Sequence, residues 1–459
     1  MKAYLLNLFD RLRASYWFLP TLMCALIIIL SKVLAEVDVI VHNSELKLPT
    51  WLNTEPAAAR SILSTIAGSL IAVIGTVFSI TIVMLSLASQ QFGPRLLRRF
   101  MIDLPTQIAL SVIVSTELYT LIVLSSLEAS SGKSSTPVIS IFSAILMTLF
   151  CIVALIYFIH HTAVQIQAPN VIRAVAEELD ATLNSMYPTY ISNSHLKVNN
   201  TLRVTSQDYK YQINSRSKGY LQAIDTEGML KFAEENDISF YLLKKTGSFI
   251  IENEPIVLYK GNPTVSQSEL EEKINSFFII GAQRSPRQDL VSPIKDLVEI
   301  SLRALSPGIN DPYSAITCIN YLANSVSKFA NRVIEPGLIF DKKSNLRLVL
   351  KKDEFENIVD EAFTSIRNYS ANSLIVKLKL LENYKKIGEQ CVSNFQIEVI
   401  MSQVKKIEDD ASISKMVNAD FLRVKQFSQE IIDTLLRKES QNNAANKQLK
   451  LNRVLIINK

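Results

Sequence analysis

The chain carries two kinds of patterning. In its first third, apolar residues run almost unbroken through four stretches, at about 17–34, 62–87, 108–127 and 138–159. Each approaches the ~20 residues needed to cross a hydrocarbon core about 30 Å thick. The second stretch holds no charged residue and predicts a helix roughly 39 Å long at about 1.5 Å rise per residue. One apolar helix can be buried in a globular core, but four in close succession have no soluble core to enter. After Pro169 the pattern changes to amphipathic spacing and short alternating runs.

The pattern therefore predicts an α-helical membrane protein with four transmembrane helices, plus a mixed, mainly α cytoplasmic domain containing a small β-rich module. The expected divisions are a transmembrane domain at 1–169, a connector at 170–218, the β-rich module at 219–262, a mainly helical part at 263–437 and a flexible tail at 438–459. Within the connector, 171–183 reads as a helix. In the module, 219–224 and 238–243 read as strands, with Asp225 opening a short helix between them. Further on, Ser266 and the Asp311-Pro312 pair read as helix starts, 337–350 as a hairpin, and 352–368, 372–388, 393–409 and 413–437 as amphipathic helices.

Charge supports this division. Only ten of the 48 Lys and Arg residues, and eight of the 43 Asp and Glu residues, lie in the first 169 positions. Lys2, Arg11 and Arg13 precede the first span, and Arg95, Arg98 and Arg99 follow the second, with Arg173 beyond the fourth. Lys32, Lys47, Arg60 and Lys133 lie on the other side. Basic residues accumulate on the cytoplasmic face, so both termini are expected there. The basic start and the apolar run ending at Val33-Leu34-Ala35 also have some features of a secretory signal, but the run is long and Trp17-Phe18-Leu19-Pro20 suits an interfacial anchor. The net charge of +5 is too thinly spread for a nucleic-acid partner.

Four features could carry function. In the second span, small residues recur at Ser61, Thr65, Gly68, Ala72, Gly75, Ser79, Ser86, Ser89 and Gly93, interrupted at Ile82, with spacings that keep them on one helix face. Small faces let membrane helices approach closely, so this one can be a seam within a subunit, a seam between subunits, or the lining of an oligomeric pore. Arg95, Arg98 and Arg99 would stand at the cytoplasmic mouth of such a pore and favour anions. Glu117 lies midway along the third span. An ionisable group at that depth is costly, so it either bonds to neighbouring Ser or Thr as a structural group or handles protons or ions. In the cytoplasmic part, Arg303, Asn310 and Asp311 surround a Pro-Gly turn and a helix start; the turn and cap account for them, and an anion or partner-chain site is the functional alternative.

Other chemistry is poorly supplied. His160-His161 point about 100° apart on a helix, so no metal site is expected. The four cysteines, Cys24, Cys151, Cys318 and Cys391, lack paired spacing. There is no phosphate loop, nucleophile elbow or dinucleotide fingerprint, so neither an enzyme nor a cofactor is expected. The run 246–258 resembles the hairpin of biotinyl/lipoyl-like β-sandwiches, with Asn253 and Glu254 where glycine often stands and no lysine in the modifiable setting. That resemblance implies a small β-rich domain without a swinging arm.

Several runs together carry a broader resemblance: Ser15-Tyr-Trp-Phe-Leu-Pro20, Gly75-Thr-Val-Phe-Ser-Ile-Thr81, Gln91-Phe-Gly-Pro-Arg95, Tyr157-Phe-Ile-His-His161, Gly219-Tyr-Leu-Gln-Ala-Ile-Asp225 and Leu305-Ser-Pro-Gly-Ile-Asn-Asp-Pro312. The chain resembles a bacterial family of predicted integral membrane proteins catalogued only as a domain of unknown function. The resemblance implies an inner-membrane protein of four spans and implies no activity. Two functions are expected from the residues. One is an oligomeric channel or transport component lined or packed by the small face of the second span, its partners being the bilayer and further copies of the chain. The other is a membrane-anchored sensor or scaffold whose cytoplasmic helical domain binds a protein partner that the sequence does not identify.

Overall fold

The computed structural model describes residues 17–43, 55–129, 137–187, 204–285, 288–332, 334, 337–370, 373–414 and 416–457. The basic residues Lys2, Arg11, Arg13, Lys47 and Lys133 used above for orientation lie outside them. The protein is mostly helical, and it divides into two compact units, Met1–Val171 and Ile172–Lys459.

In the first unit the four apolar stretches form α1 (Phe18–Asn43), α2 (Pro56–Phe92), α4 (Leu104–Ala129) and α5 (Val138–Gln165), with a short α3 (Leu97–Met101) after α2. Among the described residues, α2, the Leu104–Leu127 part of α4, and α5 are long and apolar enough to cross a membrane. Each helix outruns the apolar stretch that predicts it, because flanking residues such as Pro56-Ala-Ala-Ala and Thr162-Ala-Val-Gln165 continue the backbone ladder past the greasy segment. α4 is the hub: 56% of its apolar window is buried, against 22% for α2 and α5, and it packs on α1, α2 and α5. Two clusters fill the unit. Tyr119, Val123 and Leu127 of α4 meet Ile27, Leu63 and Ile141 at one end. Leu110 and Ile113 meet Leu70, Val77 and Phe158 at the other. Large apolar side chains such as Ile29, Ile71 and Ile156 point outward, as a hydrocarbon solvent requires.

α2 stops at Gly93, whose φ of +100° favours glycine, and Pro94 cannot extend the helix. A 3-10 turn, Pro94–Leu96, and α3 then fold back, stacking Phe100 on Phe92 at 6.4 Å between ring centres.

In the second unit, which α6 (Ala168–Met186) leads into, the strands are β1 (Tyr211–Asn214), β2 (Gly219–Ile224), β3 (Ser239–Leu242), β4 (Phe249–Ile250), β5 (Pro255–Lys260), β6 (Phe278–Gly281), β7 (Gly337–Phe340) and β8 (Leu346–Leu350). They form a five-stranded sheet ordered β1-β5-β3-β8-β7 and a three-stranded sheet ordered β4-β2-β6. Among the described strands, β3 and β8 pair in parallel and the other pairs are antiparallel. Helices α7 (Thr226–Glu235) and α8 (Gln267–Ser276) share one core with both sheets through Met229, Phe232, Leu270 and Ile274.

The β-rich module thus reaches beyond 219–262. It takes in residues 211–214 from the expected connector and 278–281 and 337–350 from the expected helical part. Strands β4 and β5 lie in different sheets, so the 246–258 run is not the hairpin its resemblance implies.

The remaining helices are α9 (Val291–Ala304), α10 (Pro312–Ala330), α11 (Phe355–Tyr369), α12 (Leu374–Gln390), α13 (Asn394–Ile413) and α14 (Asn418–Ile457). α11 shows why they form: Phe355, Ile358, Val359, Ala362, Phe363 and Ile366 recur at helical spacing and are all buried. Gly388 of α12 leaves the space that Leu435 of α14 enters. α14 continues to Ile457, past the end expected at 437, because residues such as Ala444, Gln448 and Lys450 favour helix.

Candidate functional site

The small-residue face of α2 is open. The helix buries Leu63, Ala67, Leu70, Val77, Thr81, Met84 and Ala88. At about 100° per residue, the small positions fall on the opposite side. Ser61, Thr65, Gly68, Ala72, Gly75, Ser79 and Ser86 are exposed, Ser89 is half-buried, and only Gly93 is buried. Among the described residues nothing lies within 4 Å of where a Cβ on Gly68 or Gly75 would stand. Among the described residues no helix of the same chain covers this face. Thr65 and Thr76 donate back to the carbonyls of Ser61 and Ala72, which lets these hydroxyls face an apolar medium without an unmet donor.

Glu117 sits elsewhere. It is buried in α4, and neither carboxylate oxygen has a hydrogen-bond partner among the described residues. The expected bond to Ser or Thr does not form among the described residues: Ser115 donates to the Val112 carbonyl and Thr120 to that of Thr116, while the Thr116 hydroxyl, like the carboxylate beside it, has no hydrogen-bond partner there. Ile113 and Leu110, one and two turns earlier, pack with Leu70 and Val77 of α2. Helical periodicity puts Glu117 on that same side of α4. The body of α2 thus separates the carboxyl from the small face, and the structure does not bring the two together.

At the other end of α2, Arg95 and Arg98 are exposed and Arg99 half-buried, around the turn that follows Gly93. Leu96 and Phe100 anchor that turn. Close in sequence, Asp103 caps α4. Its Oδ2 accepts from the Thr106 backbone N–H at 3.0 Å and the Thr106 hydroxyl at 2.5 Å, and lies 2.9 Å from Nε2 of His161. His161 stacks on Tyr157, while His160 is exposed. No group of three or more metal-ligating side chains occurs among the described residues.

Sequence reasoning missed a second inter-helix cap. Asp38 of α1 accepts from the backbone N–H groups of Ile139 and Ser140, at 2.7 and 3.0 Å, and from the Ser140 hydroxyl at 2.5 Å. The signal was an acidic residue at the end of one span with a Ser at the start of another, which no local rule connects.

In the second unit, Asp311 caps α10 by accepting from the N–H groups of Tyr313 and Ser314 at 3.2 and 3.1 Å. Bonding to Ser314, side chain first and then backbone, holds its carboxyl below the usual range. Asn310 takes a left-handed φ of +50°, and its N–H donates to Ser306. Arg303 lies 3.5 Å from Glu299, one turn back. The three form a stop-and-restart corner between α9 and α10. Asp311 already fills the positive end of α10, so an added anion there would meet a carboxylate. Ile309 and Tyr313 are 46% and 69% exposed beside it.

Comparison with known proteins adds a family. A family model described as "Predicted membrane protein (DUF2254)" matches residues 13–386. The uncharacterized proteins Rv1290c of Mycobacterium tuberculosis strain ATCC 25618 / H37Rv and Mb1321c of Mycobacterium bovis strain ATCC BAA-935 / AF2122/97 are each 27% identical over 399 residues, covering 86% of this chain and 76% of the relative. No solved structure matches.

Proposed function

The chain belongs to this family of predicted membrane proteins, and from that premise we propose that it is the subunit of a homo-oligomeric channel or transport component of the bacterial inner membrane. In this reading α1 is a fourth span beside α2, α4 and α5, and both termini are cytoplasmic. The carrying observation is the uncovered small face of α2. Glycine and serine backbones can come within van der Waals reach of a neighbour, and the dispersion gained drives helix association where no hydrophobic effect operates. Arranged around a symmetry axis, the same face would line a path with hydroxyls, and Arg95, Arg98 and Arg99 would draw anions to its cytoplasmic end. No catalysis and no cofactor belong to this reading.

The test uses the open space at Gly75. A Cβ there meets nothing within 4 Å among the described residues, so Gly75→Leu is expected to leave the subunit folded. Wild-type protein in mild detergent is expected to be oligomeric by native mass spectrometry and to conduct in planar bilayers. Gly75→Leu is expected to remain assembled and to lose most of that conductance. A monomeric wild type, or full conductance from Gly75→Leu, overturns the proposal.

The exposed Ile309 and Tyr313 favour a second reading, a membrane-anchored sensor or scaffold whose cytoplasmic helical domain binds a protein partner. It requires a wild type that is silent in bilayers and partner binding that is lost when Asn310 or Asp311 is changed.

A further inference from the structure

The parallel pair β3 and β8 ends in two lysine dipeptides. Lys244-Lys245 follows β3, and Lys351-Lys352 follows β8. Because the strands run side by side in the same direction, with Phe240 opposite Leu348 and Tyr241 opposite Val349, both dipeptides emerge at one edge. All four lysines line a single cavity of about 300 Å³, within the size range of small-molecule sites. The crevice beyond the carboxyl ends of parallel strands is where open sheets commonly hold ligands.

The cavity is braced and carries surplus charge. Lys245 donates to Asp353 at 2.5 Å, and Asp353, itself buried, accepts from the Tyr187 hydroxyl at 3.0 Å through its other oxygen. Lys244 donates to Glu254 at 2.6 Å. Thr246 donates to the Gln288 carbonyl, and the Gln288 side chain accepts from the Ile224 N–H, which ties the loop after β3 to the start of α7. These bonds use two lysines and two carboxylates. Lys351 and Lys352 are exposed, and neither has an ion-pair partner among the described residues. Two cations therefore face a pre-arranged pocket with nothing to neutralise them. Thr226, at the first turn of α7, also lines the pocket. Leu242, Ile339 and Leu350 supply an apolar wall.

We propose that this cavity binds a small phosphomonoester, its dianionic phosphate held by Lys351 and Lys352 and its organic part against the Leu242–Leu350 wall. A dianion matches the two uncompensated ammonium groups, and lysine is a common phosphate binder that acts as a point charge. The volume excludes a nucleic-acid duplex or a folded protein.

The test titrates phenyl phosphate into the full chain in phosphatidylcholine nanodiscs, with isothermal titration calorimetry as readout. A second arm replaces the soluble probe with nanodiscs containing phosphatidic acid, whose headgroup is also a phosphomonoester. Saturable binding is expected in at least one arm, and the arm that responds identifies a soluble or a lipid source. The double substitution Lys351→Ala, Lys352→Ala is expected to weaken that binding by about tenfold or more while leaving the melting temperature unchanged, because both side chains are exposed. Lys342→Ala, Lys343→Ala, on the β7–β8 turn, is the charge-matched control and is expected to bind like the wild type. Failure of both probes to bind, or equal weakening by the two double substitutions, overturns the proposal. Neither result depends on whether the chain forms a channel.

Discussion

Lys377 of α12 shows how much one side chain can hold against the fold. It is fully buried, and its Nζ has no hydrogen-bond partner among the described residues. Burial pushes its ammonium below the ordinary lysine range, with Arg367 pushing the same way and Asp410 opposing. The native state therefore sheds this proton at a lower pH than the unfolded chain does. Between those two values the unfolded state binds more protons, so stability rises with pH across that interval. Lys377→Met keeps the volume and removes the charge. It is expected to raise stability at pH 7 by about 1–3 kcal/mol, an advantage that shrinks as pH approaches about 10.4. Thermal unfolding at several pH values checks this; a destabilised or pH-indifferent variant would contradict it. Nothing in the sequence singles out Lys377, since its burial depends on helices distant along the chain. The caps were legible because they need only their next three residues: Asp225, Ser266 and Asp311 each accept from the backbone where the sequence places a helix start. Asn253 takes φ +67°, a local requirement that Asn can meet.

At the scale of elements, periodicity is what the sequence displays well. The four apolar helices, the α9–α10 corner and helices α11 to α13 fall close to their expected positions, while α14 outruns its own. Pairing between distant strands is what it hides. β7 and β8 read as an isolated hairpin, and no local pattern indicates that β8 would join β3. Nor could the stripe on α2 reveal which helix face its own chain covers, because both faces are apolar. Asp38 gives the element scale its test. Removing its carboxylate leaves the first N–H groups of α5 without their acceptor and loosens the tie between α1 and α5. Asp38→Ala is expected to lower stability in detergent by about 1–2 kcal/mol, and Asp38→Asn, which keeps one acceptor oxygen, by less. Chemical denaturation checks the order of the two variants, and an Asp38→Ala protein as stable as the wild type would show that the cap is idle.

The chain divides into two compact units, and they can be watched separately. Both tryptophans, Trp17 and Trp51, precede residue 172 in the sequence, and Trp17 lies in the first unit, so tryptophan fluorescence is expected to follow that unit, whereas far-ultraviolet circular dichroism reports on both. Leu221 is fully buried where the two sheets and their helices meet. Leu221→Ala is expected to destabilise the second unit by about 2–5 kcal/mol, shifting a dichroism transition while the fluorescence transition stays in place. Movement of both together would mean that the cores unfold as one.

The parallel bond between β3 and β8 also sets an order of events during synthesis. The three-stranded sheet has all its members once the ribosome has passed residue 281, and it can close early. The larger sheet cannot: β3 must wait for roughly a hundred further residues before its second neighbour exists. Throughout that interval one flank of β3 is an open template for any passing strand, and the nascent protein is most vulnerable to mispairing while α9 and α10 are still emerging.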